Sequence, residues 1–301
     1  MKRKQHWTVV AAIFFIVIAT PGILAQAGGS ESTQWQAVDK AMGRSGQVQA
    51  DKAYKYGLPR GDMKVVVAGV EVKPTLALGS WVAFSKPNAD AMMMGDLVLA
   101  EDEVTPVMAA LEAGGVQVTA VHNHVLHESP RVMYMHIGGH GDAVKMANAI
   151  KNALDLTKTP APNPAAAAPQ DIGIDTAAIE QALGHKGKVN GGVFQVGVAR
   201  AEPITEAGMK VPGSMGLSTA LNFQPTGGGK AAITGDFVLI GTEVNPVIKT
   251  LRSNGIEVTA LHSHMLDEQP RLFFMHFWAN DDAVKLAKGL RAALDQTNSQ
   301  K

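Results

Sequence analysis

The feature that most constrains this chain is that it carries one long segment twice. Residues 95–155 align without a gap on residues 235–295, and 29 of the 61 positions are identical. A match that dense over that length means two copies of one structural unit, so the fold that serves the first must serve the second. The likeness thins upstream but persists. AMGRSGQV at 41–48 answers ALGHKGKV at 182–189, and residues 56–60 answer residues 196–200. Between the copies, residues 157–170 read TKTPAPNPAAAAPQ, whose prolines and small side chains bury little and suit an extended linker. The chain divides accordingly into a leader at 1–27, a first repeat at 28–156, the linker at 157–170 and a second repeat at 171–301.

Within the gapless region the element signals follow a readable order. A short apolar strand is expected over 96–99, followed by a helix that starts at Val104-Thr105-Pro106, where a proline's missing donor costs nothing. Gly114 and Gly115 end that helix, since glycine accepts the left-handed conformation of a helix C-terminus. A strand over 116–126, a turn at 128–130 and a second strand over 131–137 come next. A helix over 142–154 closes the unit, with Val144, Ala147, Ile150 and Leu154 on one face. Each copy also begins with a short helix and strand. The expected class is α+β: two ferredoxin-like β-α-β-β-α units with additional N-terminal strands, related by a pseudo-two-fold axis and packed together. A double cupin competes, because His122-x-His124-xxx-Glu128 partly matches the first cupin motif, but two helices interrupt what that fold requires to be continuous strand.

The opening MKRKQHWTVVAAIFFIVIATPGILAQA places Lys2, Arg3 and Lys4 before an apolar run and ends on Ala25-Gln26-Ala27. That is the grammar of a cleaved signal peptide, with export to the periplasm or the medium expected and no stable membrane insertion afterwards. The alternative is an uncleaved anchor, which Pro21 and Gly22 disfavour. The chain has 27 basic and 27 acidic residues, so losing the leader leaves it three charges acidic. No basic run offers the counterion release that nucleic-acid binding needs, and that partner is excluded. Cysteine is absent, which removes thiolate metal sites, thiol nucleophiles and disulfides together.

Chemistry concentrates in one string per copy. The first reads Thr119-Ala-Val-His122-Asn-His124-Val-Leu-His127-Glu128-Ser-Pro130-Arg131 and continues to His136. The second reads Thr259-Ala-Leu-His262-Ser-His264-Met-Leu-Asp267-Glu268-Gln-Pro270-Arg271 and continues to His276. Alternate residues of a strand share a face, so His122 and His124 are expected side by side, with His136 returning on the neighbouring strand. His262, His264 and His276 repeat the set. Each trio suits one divalent transition metal, zinc or copper, with Glu128 or Glu268 as the acid–base residue. His127 and His140 extend the first copy's set, and Asp96 and Asp236 are candidates for orienting a ring. The competing reading makes these histidines core residues, because Val116, Val118 and Ala120 are expected on the face of His122. Met92, Met93 and Met94 suggest a copper site but lack a diagnostic spacing, and suit an exposed loop or a core edge. Met133 and Met135 are expected opposite His136 as core filling. Arg131 and Arg271 could clamp an anion or pair with the neighbouring glutamate.

The strings at 95–107, 119–142, 222–239 and 259–283 resemble the LppY/LpqO-type family of exported proteins, domain of unknown function 1259, over nearly the whole exported chain. The resemblance implies export and two tandem copies, and brings no reaction with it. The expected function is an exported metal-binding protein, as a metal-dependent enzyme acting on a small polar substrate or as a binding protein for such a ligand. The alternative is a metal-free periplasmic ligand-binding or envelope-associated structural protein with an envelope partner.

Overall fold

Each copy places its chemistry on a six-stranded antiparallel sheet. The computed structural model describes residues 33–161 and 171–300. The leader at 1–27 and positions 162–170 of the linker lie outside the described residues. The first copy runs α1 (Gln36–Met42), β1 (Gln47–Val48), β2 (Tyr54–Pro59), β3 (Val65–Val67), β4 (Val70–Val72), α2 (Pro74–Ala77), β5 (Gly79–Phe84) and β6 (Ala91–Ala100). It continues with α3 (Val104–Ala113), β7 (Gln117–His122), β8 (Glu128–Ser129), β9 (Val132–Gly141) and α4 (Ala143–Leu154). The second runs α5 (Thr176–Leu183), β10 (Gly187–Asn190), β11 (Val193–Ala199), β12 (Thr205–Glu206), β13 (Met209–Lys210), β14 (Ser218–Gly227) and β15 (Lys230–Ile240). It closes with α6 (Gly241–Ser253), β16 (Glu257–His262), β17 (Glu268–Gln269), β18 (Leu272–Asp282) and α7 (Ala283–Leu294).

The two large sheets have matching orders, β1-β2-β5-β6-β9-β7 and β10-β11-β14-β15-β18-β16. Strand β9 lies between β6 and β7 and is antiparallel to both. β6 and β7 are therefore parallel, with α3 as their crossover. This split β-α-β is what a ferredoxin-like unit requires, but the place beside β6 is taken by β5, which precedes it in the chain, rather than by a strand following α4. The mixed α+β repeat with its added strands is what the structure has, and the ferredoxin-like label is corrected to that extent. The helices also rule out a continuous cupin barrel.

Each sheet covers one face with its own helices. In the first copy Val38 and Met42 of α1, Val107 and Leu111 of α3, and Ile150 and Leu154 of α4 bury against Leu97, Leu99, Met135 and Ile137. Val247 and Leu251 of α6 and Leu290 of α7 do the same over Phe237, Met275 and Phe277. The last helix of each copy is fixed at its start by an aspartate that satisfies an orphan donor: Asp142 accepts from Lys145 N at 2.9 Å and Asp282 from Lys285 N at 2.8 Å.

The other faces are covered reciprocally. Ala83, Met92 and Met94 of the first sheet pack with Ile204, Val211 and Met215, which belong to the second copy. Val193, Ala232 and Trp278 of the second sheet pack with Val65 of β3, Val72 of β4 and Leu76 of α2, which belong to the first copy. Each copy thus has a core of its own under its helices and shares two further cores with the other copy. Three local expectations change. The strand expected at 96–99 is ten residues long and includes Met92–Met94, which are buried in the two cores beside it rather than exposed. The strand expected over 116–126 ends at His122. The linker's first residues are pinned, with Lys158 N donating to Glu103 Oε1 at 3.1 Å.

Candidate metal centre

A one-residue irregularity in β7 creates the site. Val118 pairs with Ile137 and Ala120 with His136, so Thr119 is an extra residue on the β7 side. Such a bulge reverses which face the following side chains take. Val116 and Val118 therefore join the helix-covered core, whereas His122, opposite Tyr134, faces the second sheet. The expectation that Val116, Val118 and His122 share one face assumed a regular strand and is corrected by this bulge. The second copy repeats it: Val258 pairs with Phe277, Ala260 with His276 and His262 with Phe274.

The threonines freed by the two bulges tie the copies together. Thr119 Oγ1 donates to His264 O at 2.6 Å, and Thr259 Oγ1 donates to His124 O at 2.5 Å. Asn123 Nδ2 adds a bond to Thr259 O at 3.1 Å. Each loop carrying the second histidine of an HxH pair is thus held by the opposite copy.

All six histidines consequently meet in one chamber between the sheets. His122 stacks on His262 with ring centroids 3.6 Å apart, His124 on His276 at 3.8 Å and His136 on His264 at 3.7 Å. Every one of these pairs joins one copy to the other. Tyr134 and Phe274 close the chamber, stacking on His124 and His264 at 3.3 Å each. Three groups of ligand atoms lie within 4.8 Å of one another: His122, His136 and His262; His122, His124 and His276; and Asp96, His124 and His136. His136 Nε2 and His262 Nε2 are 3.3 Å apart. The sets expected within single copies are therefore regrouped. The sequence identifies the rings, but the two imidazole trios draw from both copies.

The chamber is polar yet poorly satisfied. The buried side-chain atoms without a protein hydrogen-bond partner among the described residues are Asp96 Oδ1, His122 Nε2, His124 Nε2, Asp236 Oδ1, His262 Nδ1, both ring nitrogens of His264, His276 Nε2 and, away from the site, Arg44 Nε. Leaving such groups unpaired costs about 1–3 kcal/mol each, so a cluster of them marks a place built for something to bind. Two rings are oriented by backbone carbonyls: His276 Nδ1 lies 2.7 Å from Gly235 O, and His122 Nδ1 lies 3.0 Å from Asn123 O. A nitrogen held that way leaves the other available as a ligand.

Burial sets the protonation states. Desolvation pushes the His122 ring down to about 4 and the other five rings below their ordinary value, with neighbouring imidazoles adding to the effect at His124, His136, His262 and His264. Neutral imidazole is the form that ligates metal. Desolvation raises the two aspartates, Asp236 to about 6 and Asp96 well above the carboxylate range, the latter helped by Asp236. Asp236 Oδ2 is 3.2 Å from His264 Nε2, and Asp96 Oδ2 is 3.5 Å from His124 Nε2.

A pH dependence follows. Each ring binds a proton more readily unfolded, near 6.5, than folded, so its contribution is present above that value and lost as the pH falls. The aspartates act oppositely, losing stability as the pH rises through about 6 for Asp236. Six rings outweigh two carboxylates. The melting temperature of metal-free protein should drop steeply between pH 7 and pH 5 in calorimetry, and a flat profile would contradict buried neutral rings.

The remaining candidates lie elsewhere. Glu268 is buried, but its Oε1 accepts from Leu272 N at 2.8 Å and its Oε2 pairs with Arg271 Nη1 at 3.2 Å. Glu128 sits on β8, opposite Val67 in a small sheet. His127 is exposed near Glu257, with a closest approach of 3.9 Å, and His140 faces Glu206 at 3.7 Å. Neither joins the three ligand groups. Arg271 braces the second HxH loop, donating to Leu266 O at 2.9 Å and Ser263 Oγ at 3.0 Å. Sequence reasoning missed Thr119 and Thr259, although the repeated Thr-Ala-x-His string carried the signal.

A family model described as "DUF1529: Domain of Unknown Function (DUF1259)" matches residues 36–156 and again 177–296. No curated protein matches the chain. Among solved structures, a trimeric bacterial microcompartment shell protein, PduB, is 13% identical with a TM-score of 0.21, covering 83% of this chain and 90% of that one. EtuB from Clostridium kluyveri is 9% identical with a TM-score of 0.19 over the same shares. Likeness at that level carries no argument about fold or function.

Proposed function

The chain belongs to the family designated Domain of Unknown Function (DUF1259), once in each half, and from the chamber those halves share we propose that it binds a divalent transition metal ion at a jointly built centre. The observation that carries this reading is the convergence of neutral imidazoles from both copies within ligating reach of one another, several of their nitrogens without a protein partner. His122, His136 and His262 would hold the ion, with His124, His264 and His276 around them and Asp96 and Asp236 as carboxylate partners. Three nitrogen donors suit zinc and leave a position for water or substrate.

Bound there, the ion would supply Lewis acidity, and Asp96 and Asp236 are the carboxylates that reach the histidine rings. That pairing suits acid–base chemistry on a small polar substrate better than Glu128 or Glu268 does. We place this activity outside the cytoplasm, after loss of residues 1–27; retention of that segment in the intact mass of native protein would refute the placement.

The metal reading is tested with untagged protein stripped by a chelator and dialysed against zinc. About one equivalent should be retained, with a rise in melting temperature that grows with free zinc, as expected of a ligand that binds only the folded state. Absence of retained zinc at neutral pH, with no thermal shift, would return the histidines to a purely structural role.

A further inference from the structure

A cavity of about 640 Å³ opens between the two sheets and ends against the histidine chamber, where His124, His276, Asp96 and Asp236 form its floor. Its volume falls in the range of small-molecule sites. Two wall positions recur in both copies, Lys55 with Gln195 and Gly57 with Gly197. Gly57 and Gly197 face open space, a Cβ at either meeting no atom within 4 Å. Gly57 pairs with Trp81 and Gly197 with Ala220, while Lys55 pairs with Ala83 and Gln195 with Asn222. The floor takes one aspartate from the same position of each copy, Asp96 and Asp236, and one histidine from a different position of each, whereas the walls have diverged. One copy supplies Lys55 and Trp81 where the other supplies Gln195 and Ala220.

That divergence makes one wall cationic. Lys55 Nζ donates to Ser214 O at 2.9 Å and lies 4.1 Å from the centroid of Trp81, leaving two of its three donors for a ligand. Lys188, the cross-strand partner of Gln195 on the facing wall, lines the same cavity. Asp51, whose charge acts on Lys55, is engaged by Ser214 through its backbone N at 2.8 Å and its hydroxyl at 2.7 Å. Asn222 and Gln195 line the facing wall with amide groups. Desolvation and Lys188 lower Lys55 to about 8, and Asp51 and Asp96 oppose that shift, so a bound anion would relieve a cation that burial disfavours.

We propose that this cavity binds a small organic carboxylate, its anionic group held by Lys55 and Lys188, its body between Trp81 and the Gln195–Asn222 wall, and its far end directed at His124 and His276. Only the last clause rests on the metal reading; the anion site stands on the lysines and the shape of the cavity. Lys55 stands where the second copy has Gln195, and Lys188 lies beside Gln195, so each copy brings one cation to the cavity.

Isothermal titration with succinate, on both zinc-loaded and metal-free full-length mature protein, tests this. The expected result is saturable binding to both forms, tighter with zinc, no binding of the uncharged diamide succinamide, and at least tenfold weaker succinate binding in Lys55→Met with zinc content unchanged. Lys188→Met alters an exposed side chain and supplies the same test if Lys55→Met does not fold. Equal binding of succinate by wild type and both variants, equal binding of succinamide, or no succinate binding to either form would overturn the proposal. Succinate binding that is identical with and without zinc, in protein that retains no zinc, would sink the metal reading and leave the anion site intact.

Discussion

Replacing Arg60 by methionine should lower the free energy of unfolding by about 3–5 kcal/mol, the range measured when one member of a buried ion pair is removed. Arg60 is 1% exposed. Its Nη1 donates to Glu103 Oε2 at 2.6 Å and to Val98 O at 2.7 Å, and its Nε donates to Asp62 Oδ1 at 2.9 Å. Methionine preserves much of the stem's volume but leaves Glu103 buried beside an unpaired carbonyl. Glu103 also receives Ala100 N at 2.9 Å at the start of the 3₁₀ turn Glu101–Glu103, so the loss should loosen the entry to α3. The second copy has the same device: Arg200 Nη1 bonds Glu243 Oε2 at 2.7 Å and Val238 O at 2.6 Å, and Glu243 receives Ile240 N at 2.8 Å. Arg200→Met should therefore cost a similar amount. Urea denaturation followed by circular dichroism checks both, and Arg60→Met combined with Glu103→Gln should recover part of the loss because the stranded charge is gone. A change under 1 kcal/mol in either single variant would show that these arginines do not anchor the repeats.

His262→Ala should weaken zinc binding by more than about 100-fold, although the first copy keeps all three of its histidines. Changes to groups that merely hold a ligand cost roughly 10–100-fold, and removing a ligand exceeds that. The expectation follows from where His262 lies: its ring stacks on His122 at 3.6 Å and its Nε2 is 3.3 Å from His136 Nε2. Two independent sites would lose only the second copy's share. His262→Gln keeps a polar side chain of similar size and separates loss of a ligand from loss of packing, and Asp236→Asn should fall in the lower range. Competition against a fluorescent chelator gives the affinities, with circular dichroism verifying that each variant folds.

The duplication, the helix ends at Gly114 and Asp142, and the identity of the six histidines were all legible in the chain, because each depends on local pattern. What pattern could not give was the face each ring takes. A regular strand puts Val118 and His122 together, and only the pairing of Ala120 rather than Thr119 with His136 reveals the bulge that parts them. Nor does a repeat disclose how its copies meet. The bonds from Thr119 to His264 O and from Thr259 to His124 O span 145 and 135 residues, beyond any periodicity. Glu128 and Glu268 attract notice by their nearness in sequence to HxH, whereas Asp96 and Asp236 reach the rings through cross-strand pairing with His136 and His276. Lys55 drew no notice because its chemistry depends on Ser214 and Trp81, which the fold brings to it.

Anomalous diffraction at the zinc edge, from crystals of protein reconstituted with that metal, locates the ion directly. A centre built by both copies places a peak between the sheets with nitrogens of His122, His136 and His262 at about 2.0–2.1 Å, the usual zinc–imidazole distance. Two separate peaks, each ligated by histidines of one copy alone, or no peak in the chamber, would contradict it.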